Sequence, residues 1–411
     1  MLPANDAERL ILKLVNPIDE IETVTLENSP GHVLGKPISA QLDFPHWDNS
    51  AMDGYAVRYD DVATVPVTLK VVEEVPAGQV PKRALKSGDA ARIFTGGMLP
   101  AGADTIVIQE NTQREGPEVT VMEAPVARAF VRERGSFYQA GAELLAAGIS
   151  IGAAEVAVLA AAQCVSVPVY RRPRVAILST GDELVDIHQP LAPGQIVDSN
   201  RYALAALITQ SGAVPVPLGI VPDQKAATRQ AIANALSQAD LVISSGGVSV
   251  GDYDYVDQVL AELGATIHIR AVAVKPGKPL TVATFEQAGK RPQLYFGLPG
   301  NPVSSLVSFW RFVQPALRKL SGLSMGWSPT FVWAKTENDL KAAGKRETYL
   351  WGRLSLGNEG YRFTLATGSH SSGNLVNLTR TNGLAMVPLG ETLIPAGSNI
   401  RALTLEATTI G

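Results

Sequence analysis

Four short polar segments of this 411-residue chain follow runs that read as apolar strands, and together they carry the residue types needed to handle an oxyanion. They are Thr180-Gly181-Asp182-Glu183 after VAILS, Ser245-Gly246-Gly247 continuing to Ser249, Asp252 and Asp254 after LVIS, Lys275-Pro276-Gly277-Lys278-Pro279 after IRAVAV, and Leu298-Pro299-Gly300-Asn301-Pro302 continuing to Ser304 after QLYFG. The Gly246-Gly247 pair lets backbone N–H groups approach an anion, and the helix start behind it adds partial positive charge. Lys275 and Lys278 flank a Pro-Gly turn that would fix both backbones and aim two ammonium groups at one anionic group. The carboxylates Asp182, Glu183, Asp223, Asp252 and Asp254 would repel a phosphate unless a cation lies between. Mg2+, which takes one or two carboxylates together with substrate phosphates and water, is the expected mediator. The chemistry implied is metal-assisted handling of a phosphate or another tetrahedral oxyanion.

Each feature also has a plainer reading. A glycine pair after a strand makes a turn, two loop lysines can be merely solvated, and Asp223 or Asp254 can cap the helix that follows it. Competing chemistries, however, lack their residues. The five histidines, His32, His46, His188, His268 and His370, show no i, i+4 pair of the kind a zinc site uses. The single cysteine, Cys164, excludes an intrachain disulfide framework; it falls in the alanine-rich run IGAAEVAVLAAAQC, read as a helix that returns the chain to the body of the protein, and is expected to be buried and inert. No GxxxxGK[ST] loop is present and no GxGxxG follows a strand, so ordinary ATPase and dinucleotide chemistry lack support.

The elements that must position these segments lie between Val175 and Leu320, where apolar strands alternate with helices near Arg201–Gln210, Lys225–Gln238, Tyr255–Leu263 and Val303–Lys319. Such alternation predicts a mainly parallel sheet covered on both faces, with its ligand rim beyond the carboxyl ends of the strands. Apolar spacing over Ala7–Val15 predicts a short docking helix capped by Asn5 or Asp6. The length suggests about three folding units, and the pattern gives a multidomain α/β plus β fold. Its parts are a helical and strand connector (1–42 and 141–172), an inserted β-rich domain (43–140), a three-layer α/β/α domain (173–325) and a C-terminal β-barrel (326–411). The charge is near balance, −4 from 35 basic and 39 acidic residues, with no basic run suited to a duplex, so nucleic acid is not an expected partner. A hydrophobic fraction of 46% without a long uninterrupted apolar stretch, and an N-terminus that does not read as an export signal, predict a cytoplasmic protein with no membrane partner.

Seven motifs in order resemble the molybdopterin molybdenumtransferase family, the bacterial MoeA proteins and the E domain of gephyrin. They are DNSAMDGYA from Asp48, RIFTGGMLPAGAD from Arg92, LSTGDEL from Leu178, GQIVDSN from Gly194, SSGGVSVGDYDY from Ser244, VKPGKP from Val274 and GLPGNPVS from Gly297. The resemblance spans essentially the full length and implies an elongated homodimer whose cleft receives Asp53 and Thr95 from the partner protomer. It implies a reaction in which adenylylated molybdopterin and molybdate react with a divalent cation to release AMP and leave molybdenum on the dithiolene. Glu183, Asp223 and Asp254 would hold Mg2+, with Lys275 and Lys278 balancing the anionic charge. Thr180, Gly181, Asp182, Ser199, Asn200, Ser245, Gly246, Gly247, Ser249, Pro299, Asn301 and Pro302 would line the substrate site. Ser304, Arg346 and Ser371 would join Lys275, Lys278 and Pro279 around molybdate. The molybdopterin adenylyltransferase is a further candidate partner.

One position departs from the family pattern. After Arg132-Glu133-Arg134-Gly135-Ser136 the family usually carries an acid where this chain has Phe137, and with the α/β rim complete that carboxylate is expected to be dispensable. Two other readings stay open: an adenylyltransferase or nucleotide pyrophosphatase of the same superfold, and a non-catalytic dimeric scaffold. The second is disfavoured by buried charges expected at one rim.

Overall fold

The computed structural model describes residues 1–247, 256–286 and 288–405, so Ser249, Asp252 and Asp254 lie outside the described residues. The chain divides into two compact units: Met1–Lys36 with Ala147–Gly152 and Ser166–Gly411, and Pro37–Ala146 with Ala153–Val165. Among the described residues no helix is long and apolar enough to cross a membrane.

The first unit opens with helix α1 (Ala4–Leu14), which turns Ala4, Ala7 and Ile11 into the core, and strand β1 (Ile21–Thr25). Neither Asn5 nor Asp6 caps α1. The helix starts at Ala4 with Pro3 at its N-cap, so both lie inside the first turn. Asn5 instead accepts a hydrogen bond from Arg311 at 2.7 Å, and Asp6 pairs with Arg9.

The second unit is a six-stranded sheet of β2 (Gly54–Val57), β3 (Val67–Val75), β4 (Asp89–Ile93), β5 (Thr105–Ile108), β6 (Thr112–Glu115) and β7 (Glu118–Val121), in the order β5-β2-β4-β3-β7-β6. Only β3 and β4 run parallel. Alternation sends Tyr55 and Val57 to one apolar face and Ala56 to the other, so both faces of the sheet are covered. Helix α2 (Ala153–Ala161) groups with this unit. Gln163, in the left-handed region at φ 56°, ends it, and the Cys164 N–H returns to the Leu159 carbonyl at 2.9 Å, the six-to-one bond of a Schellman cap. Cys164 therefore follows the helix rather than lying in it. It is half-buried, and burial pushes its thiol pKa up, away from a reactive thiolate.

The chain re-enters the first unit with β8 (Ser166–Tyr170), antiparallel to β1. A six-stranded sheet follows, built from β9 (Arg174–Thr180), β10 (Val214–Val221), β11 (Leu241–Ser245), β12 (Thr266–Ala271), β14 (Pro279–Phe285) and β15 (Gln293–Leu298), the two-residue β13 (Val274–Lys275) intervening. Its order is β10-β9-β11-β15-β14-β12. The first four strands are parallel and β14 runs against both neighbours, which brings the loop between β12 and β14 back to the same rim as the ends of β9, β11 and β15. Along β9, Ala176 and Leu178 face α4 (Lys225–Gln238) and α5 (Val256–Glu262), whereas Val175 and Ile177 face α1, α3 (Ser199–Gln210), α6 (Pro302–Ser308) and α7 (Gln314–Leu320). That is the three-layer domain.

The stretch expected as one helix over Val303–Lys319 is interrupted by a π-helical turn at Phe309–Val313. This turn carries the fully buried Arg311, which donates to Tyr349 at 2.9 Å, to Asn5, and to the Glu8 carboxylate. A charge buried this way is tolerated only while paired. Arg311→Ala is accordingly expected to destabilise the fold by about 3–5 kcal/mol by stranding Glu8, measured by denaturant unfolding; a loss below about 1 kcal/mol would show the pair to be solvated instead.

The unit ends in a closed five-stranded barrel. Strands β16 (Phe331–Thr336), β17 (Glu347–Gly357), β18 (Gly360–Leu365), β19 (Gly383–Val387) and β20 (Asn399–Thr404) pair in the circuit β16-β20-β19-β17-β18 and back to β16, leaving no free edge. Strand β13 adds parallel to β17, with Lys275 opposite Thr348.

Candidate active site

The ends of β9, β11 and β15 and the start of α3 enclose a cavity of about 430 Å³ in the first unit. Thr180, Gly181, Glu183, Ser199, Asn200, Asp223, Ser245, Gly246, Gly247, Pro279, Pro299, Asn301, Pro302 and Ser304 line it. Of the strand-end residues expected here and described by the structure, Asp182, Lys275, Pro276, Gly277, Lys278 and Leu298 do not line this cavity. Asp182 sits just outside, where its carboxylate accepts the Asp223 N–H at 3.0 Å. Asp223 thus does not cap α4, whose N-cap is Gln224.

The walls are held by short polar contacts. The Asn200 amide donates to Ser245 at 2.7 Å and to the Gly300 carbonyl at 2.8 Å, tying three of the loops together. Asp198, which sequence reasoning passed over although it stands at the head of α3, caps that helix by accepting the Arg201 N–H at 3.2 Å. Gly246 and Gly247 both have positive φ and lie against Thr180 so closely that a Cβ on Gly246 would stand 2.4 Å from the Thr180 carbonyl oxygen. The Thr180 hydroxyl is buried in the cavity wall without a hydrogen-bond partner among the described residues. An unsatisfied buried donor facing a polar cavity is a place for a ligand oxygen.

The acids of the rim are crowded. Burial first, and then the neighbouring Asp182 and Glu183, raise the Asp223 carboxyl above its ordinary 3.8. A carboxyl raised by folding contributes stability below its ordinary pKa and loses it as pH climbs through the raised value. Asp223→Asn should therefore stabilise the metal-free protein by less than about 1 kcal/mol near pH 7 and by nothing near pH 3. Chemical unfolding at both pH values checks this, and a destabilisation near neutrality would remove the repulsion argument. Among the described residues no set of three or more potential metal ligands is gathered; Glu183 and Asp223 share the cavity, and Asp254 lies outside what is described.

Lys275 and Lys278 line a neighbouring cavity of about 520 Å³ that shares Pro279 and Ser304 with the first. Lys341, Arg346, His370 and Ser371 join them, and among the described residues no carboxylate does. Arg346 is held by donating to the Val274 carbonyl at 3.2 Å. Lys341, Thr348 and Trp351 were not legible as site residues: Thr348 and Trp351 come from β17, whose approach depends on the β13–β17 pairing, and Lys341 from a two-residue strand that pairs with Leu393–Ile394. The rim charges expected to be buried are not: Glu183, Lys275 and Lys278 are exposed, so the argument against a scaffold cannot rest on burial.

In the second unit Asp53 and Thr95 come together. The Asp53 carboxylate accepts the Thr95 N–H at 2.7 Å and its hydroxyl at 2.8 Å, and these bonds, with Arg92 nearby, hold the Asp53 carboxyl below its usual range. Phe137 is 63% exposed and rests on Phe44 with ring centroids 5.8 Å apart. Phe137→Asp is expected to leave the fold intact and to change the molybdenum insertion that the sequence resemblance implies by less than about tenfold; a gain of several orders of magnitude would mark the native chain as impaired.

Three family models match the chain: "MoeA N-terminal region (domain I and II)" over residues 2–162, "Probable molybdopterin binding domain" over 176–319 and "MoeA C-terminal region (domain IV)" over 334–405. A molybdopterin molybdenumtransferase from Nostoc sp. is 56% identical over 98% of this chain and 94% of its own length. The chain belongs to the molybdopterin molybdenumtransferase family. Another member, from Haemophilus influenzae, is 37% identical over 84% of each chain. The crystal structure of a molybdopterin biosynthesis MoeA protein from Pyrococcus horikoshii, 27% identical, covers 98% of this chain and 100% of its own with a TM-score of 0.83. The molybdopterin molybdenumtransferase fold thus runs the whole length of the chain, with matches to both the N-terminal and the C-terminal family regions.

Proposed function

We propose that this chain is a molybdopterin molybdenumtransferase of molybdenum cofactor biosynthesis, inserting molybdate into the dithiolene of adenylylated molybdopterin with Mg2+-dependent release of AMP. The observation that carries the reading is the pair of adjoining cavities: one lined by glycines, hydroxyls, Glu183 and Asp223, the other by four cationic side chains and, among the described residues, no carboxylate, with Pro279 and Ser304 common to both. The first suits the phosphate end of a nucleotide-linked substrate, and the second suits a tetrahedral dianion. Glu183 and Asp223, with Asp254, would hold Mg2+, which would offset charge on the phosphate oxygens. Within this chain, the Thr180 hydroxyl and the Gly246-Gly247 loop would bind phosphate oxygen, Asn200 would keep the loops in register, and Lys275, Lys278 and Arg346 would position molybdate.

The reading extends to a cytoplasmic homodimer in which the partner's copies of Asp53 and Thr95 complete the cleft, and to handover of substrate from a molybdopterin adenylyltransferase. Purified protein incubated with adenylylated molybdopterin, molybdate and Mg2+ tests it. AMP release that depends on molybdate supports the transferase; cleavage without molybdate would make it a pyrophosphatase, and absence of cleavage a scaffold.

A further inference from the structure

The walls of the cationic cavity are tied to a segment far from it in sequence, residues 2–8. Leu2 bridges to Val272 in parallel: its N–H donates to the Ala271 carbonyl at 3.1 Å, and its carbonyl accepts the Ala273 N–H at 2.8 Å. The same stretch, residues 271–273, carries the cavity. The Val272 N–H donates to the Lys278 carbonyl at 3.0 Å, and the Ala273 carbonyl accepts the N–H of Glu347, at the start of β17, at 2.9 Å. Through three residues of backbone, Leu2 thus holds both the turn that bears Lys278 and the strand that lines the cavity with Thr348 and Trp351.

A second tether runs from the same segment to β17. Asn5 accepts from Arg311 at 2.7 Å and the Glu8 carboxylate pairs with it, while Arg311 Nε donates to the Tyr349 hydroxyl at 2.9 Å. That hydroxyl donates onward to Glu347 at 2.5 Å. Burial pushes the Tyr349 phenol up, which keeps it a neutral hydroxyl able to accept one bond and give the other. Tyr349 is itself part of the cavity wall, on the same strand as Arg346's neighbour Thr348.

The plainer reading is that these contacts only dock α1. Docking needs no charge, because Ala4, Ala7 and Ile11 already bury an apolar face in the shared core, and a buried ion pair is often no more stabilising than apolar side chains of the same volume. What the pair supplies is a single geometry, since Nε, Nη1 and Nη2 of Arg311 must each meet a different acceptor. Through Tyr349 that geometry is passed to β17. We propose, on the reading that this cavity holds molybdate, that residues 2–8 brace it and that Tyr349 is the positioning residue through which they set its affinity for the tetrahedral oxyanion. The Tyr349 hydroxyl faces Arg311 and Glu347 rather than the anion, which meets Lys275, Lys278 and Arg346.

Equilibrium dialysis of the full chain against molybdate at constant ionic strength tests this, alongside steady-state rates of AMP release. Tyr349→Phe removes only the hydroxyl, and molybdate affinity is expected to fall about tenfold, the molybdate KM rising to match while the KM for adenylylated molybdopterin stays within about twofold. A merely structural loss would lower the folded fraction, and so the maximal rate, at unchanged KM for both. Glu347→Ala sharpens the contrast. Removing a negative charge between the cavity residues Arg346 and Thr348 would by itself tighten binding of a dianion, whereas losing the acceptor of the Tyr349 hydroxyl should weaken it. Where Tyr349→Phe does not fold, Asn5→Ala at an exposed position decides, with an expected loss of about threefold. Molybdate affinity equal to wild type in folded Tyr349→Phe, or in Asn5→Ala where that replaces it, or equal or tighter binding in Glu347→Ala, would overturn the proposal. Because dialysis needs no turnover, a wild type that binds molybdate without releasing AMP would sink the transferase reading and leave the brace in place.

Discussion

Lys275→Ala and Lys278→Ala are each expected to lower molybdenum insertion about a hundredfold or more, and the loss should appear chiefly as a raised KM for molybdate. Both ammonium groups are exposed, and a single exposed charge is worth little in water. What gives them weight is convergence: Lys275, Lys278, Lys341 and Arg346 face one cavity that no carboxylate among the described residues enters. A dianion among four cations, with the buried Tyr349 and Trp351 at its back, feels less dielectric screening than an ion at the open surface. The backbone under Lys275 is fixed by the β13–β17 ladder, so little is lost to ordering when the anion binds. Steady-state rates across molybdate concentration, at saturating adenylylated molybdopterin, measure the effect. Raised salt should mimic the substitution in part, because screening acts on the same charges. A molybdate KM within twofold of wild type in the double substitution would move molybdate to another cavity.

The α/β rim was legible because strand ends in a doubly wound sheet are fixed by topology, so polar residues after apolar runs had only one place to gather. Thr180, Ser245, Gly246 and Asn301 meet for that reason. The division of the rim into two cavities was not legible. It depends on β14 running against its neighbours and on β13 pairing with the barrel, and neither long-range pairing has a local sequence signal. Lys341 reaches the second cavity from a separate two-residue strand paired with Leu393–Ile394, which is equally without a local signal. Arg311 was hidden for a different reason: an arginine is expected at the surface, and its partner Glu8 lies far away in the chain, so nothing local signals that this guanidinium is buried and paired. The Asn5 and Asp6 caps failed because the N-cap falls two and three residues before them, at Pro3, and the helix has already begun at Ala4.

Gly246→Ala should abolish turnover and destabilise the first unit, and the reason separates it from a generic loop-glycine substitution. Gly246 sits at φ 92°, outside the conformations an L side chain adopts without strain, which alone costs roughly 1–2 kcal/mol. Its added Cβ would also meet the Thr180 backbone oxygen at 2.4 Å and the Thr180 hydroxyl at 2.9 Å. A carbonyl at the end of a central parallel strand cannot swing aside as a flexible side chain would, because β9 is hydrogen-bonded to β10 on one side and β11 on the other. The clash must be relieved by moving the loop after β11, and that loop carries the amides expected to meet phosphate while abutting the unpaired Thr180 hydroxyl. Gly78→Ala supplies the control. It has a similar φ of 83° but open space around the position a Cβ would take, so it should show only the backbone strain and keep full activity. Thermal unfolding and AMP release, measured on both variants, decide the matter. Equal behaviour of the two would mean that the contact between Gly246 and Thr180 is dispensable, and that the anion-binding role of this loop belongs elsewhere on the rim.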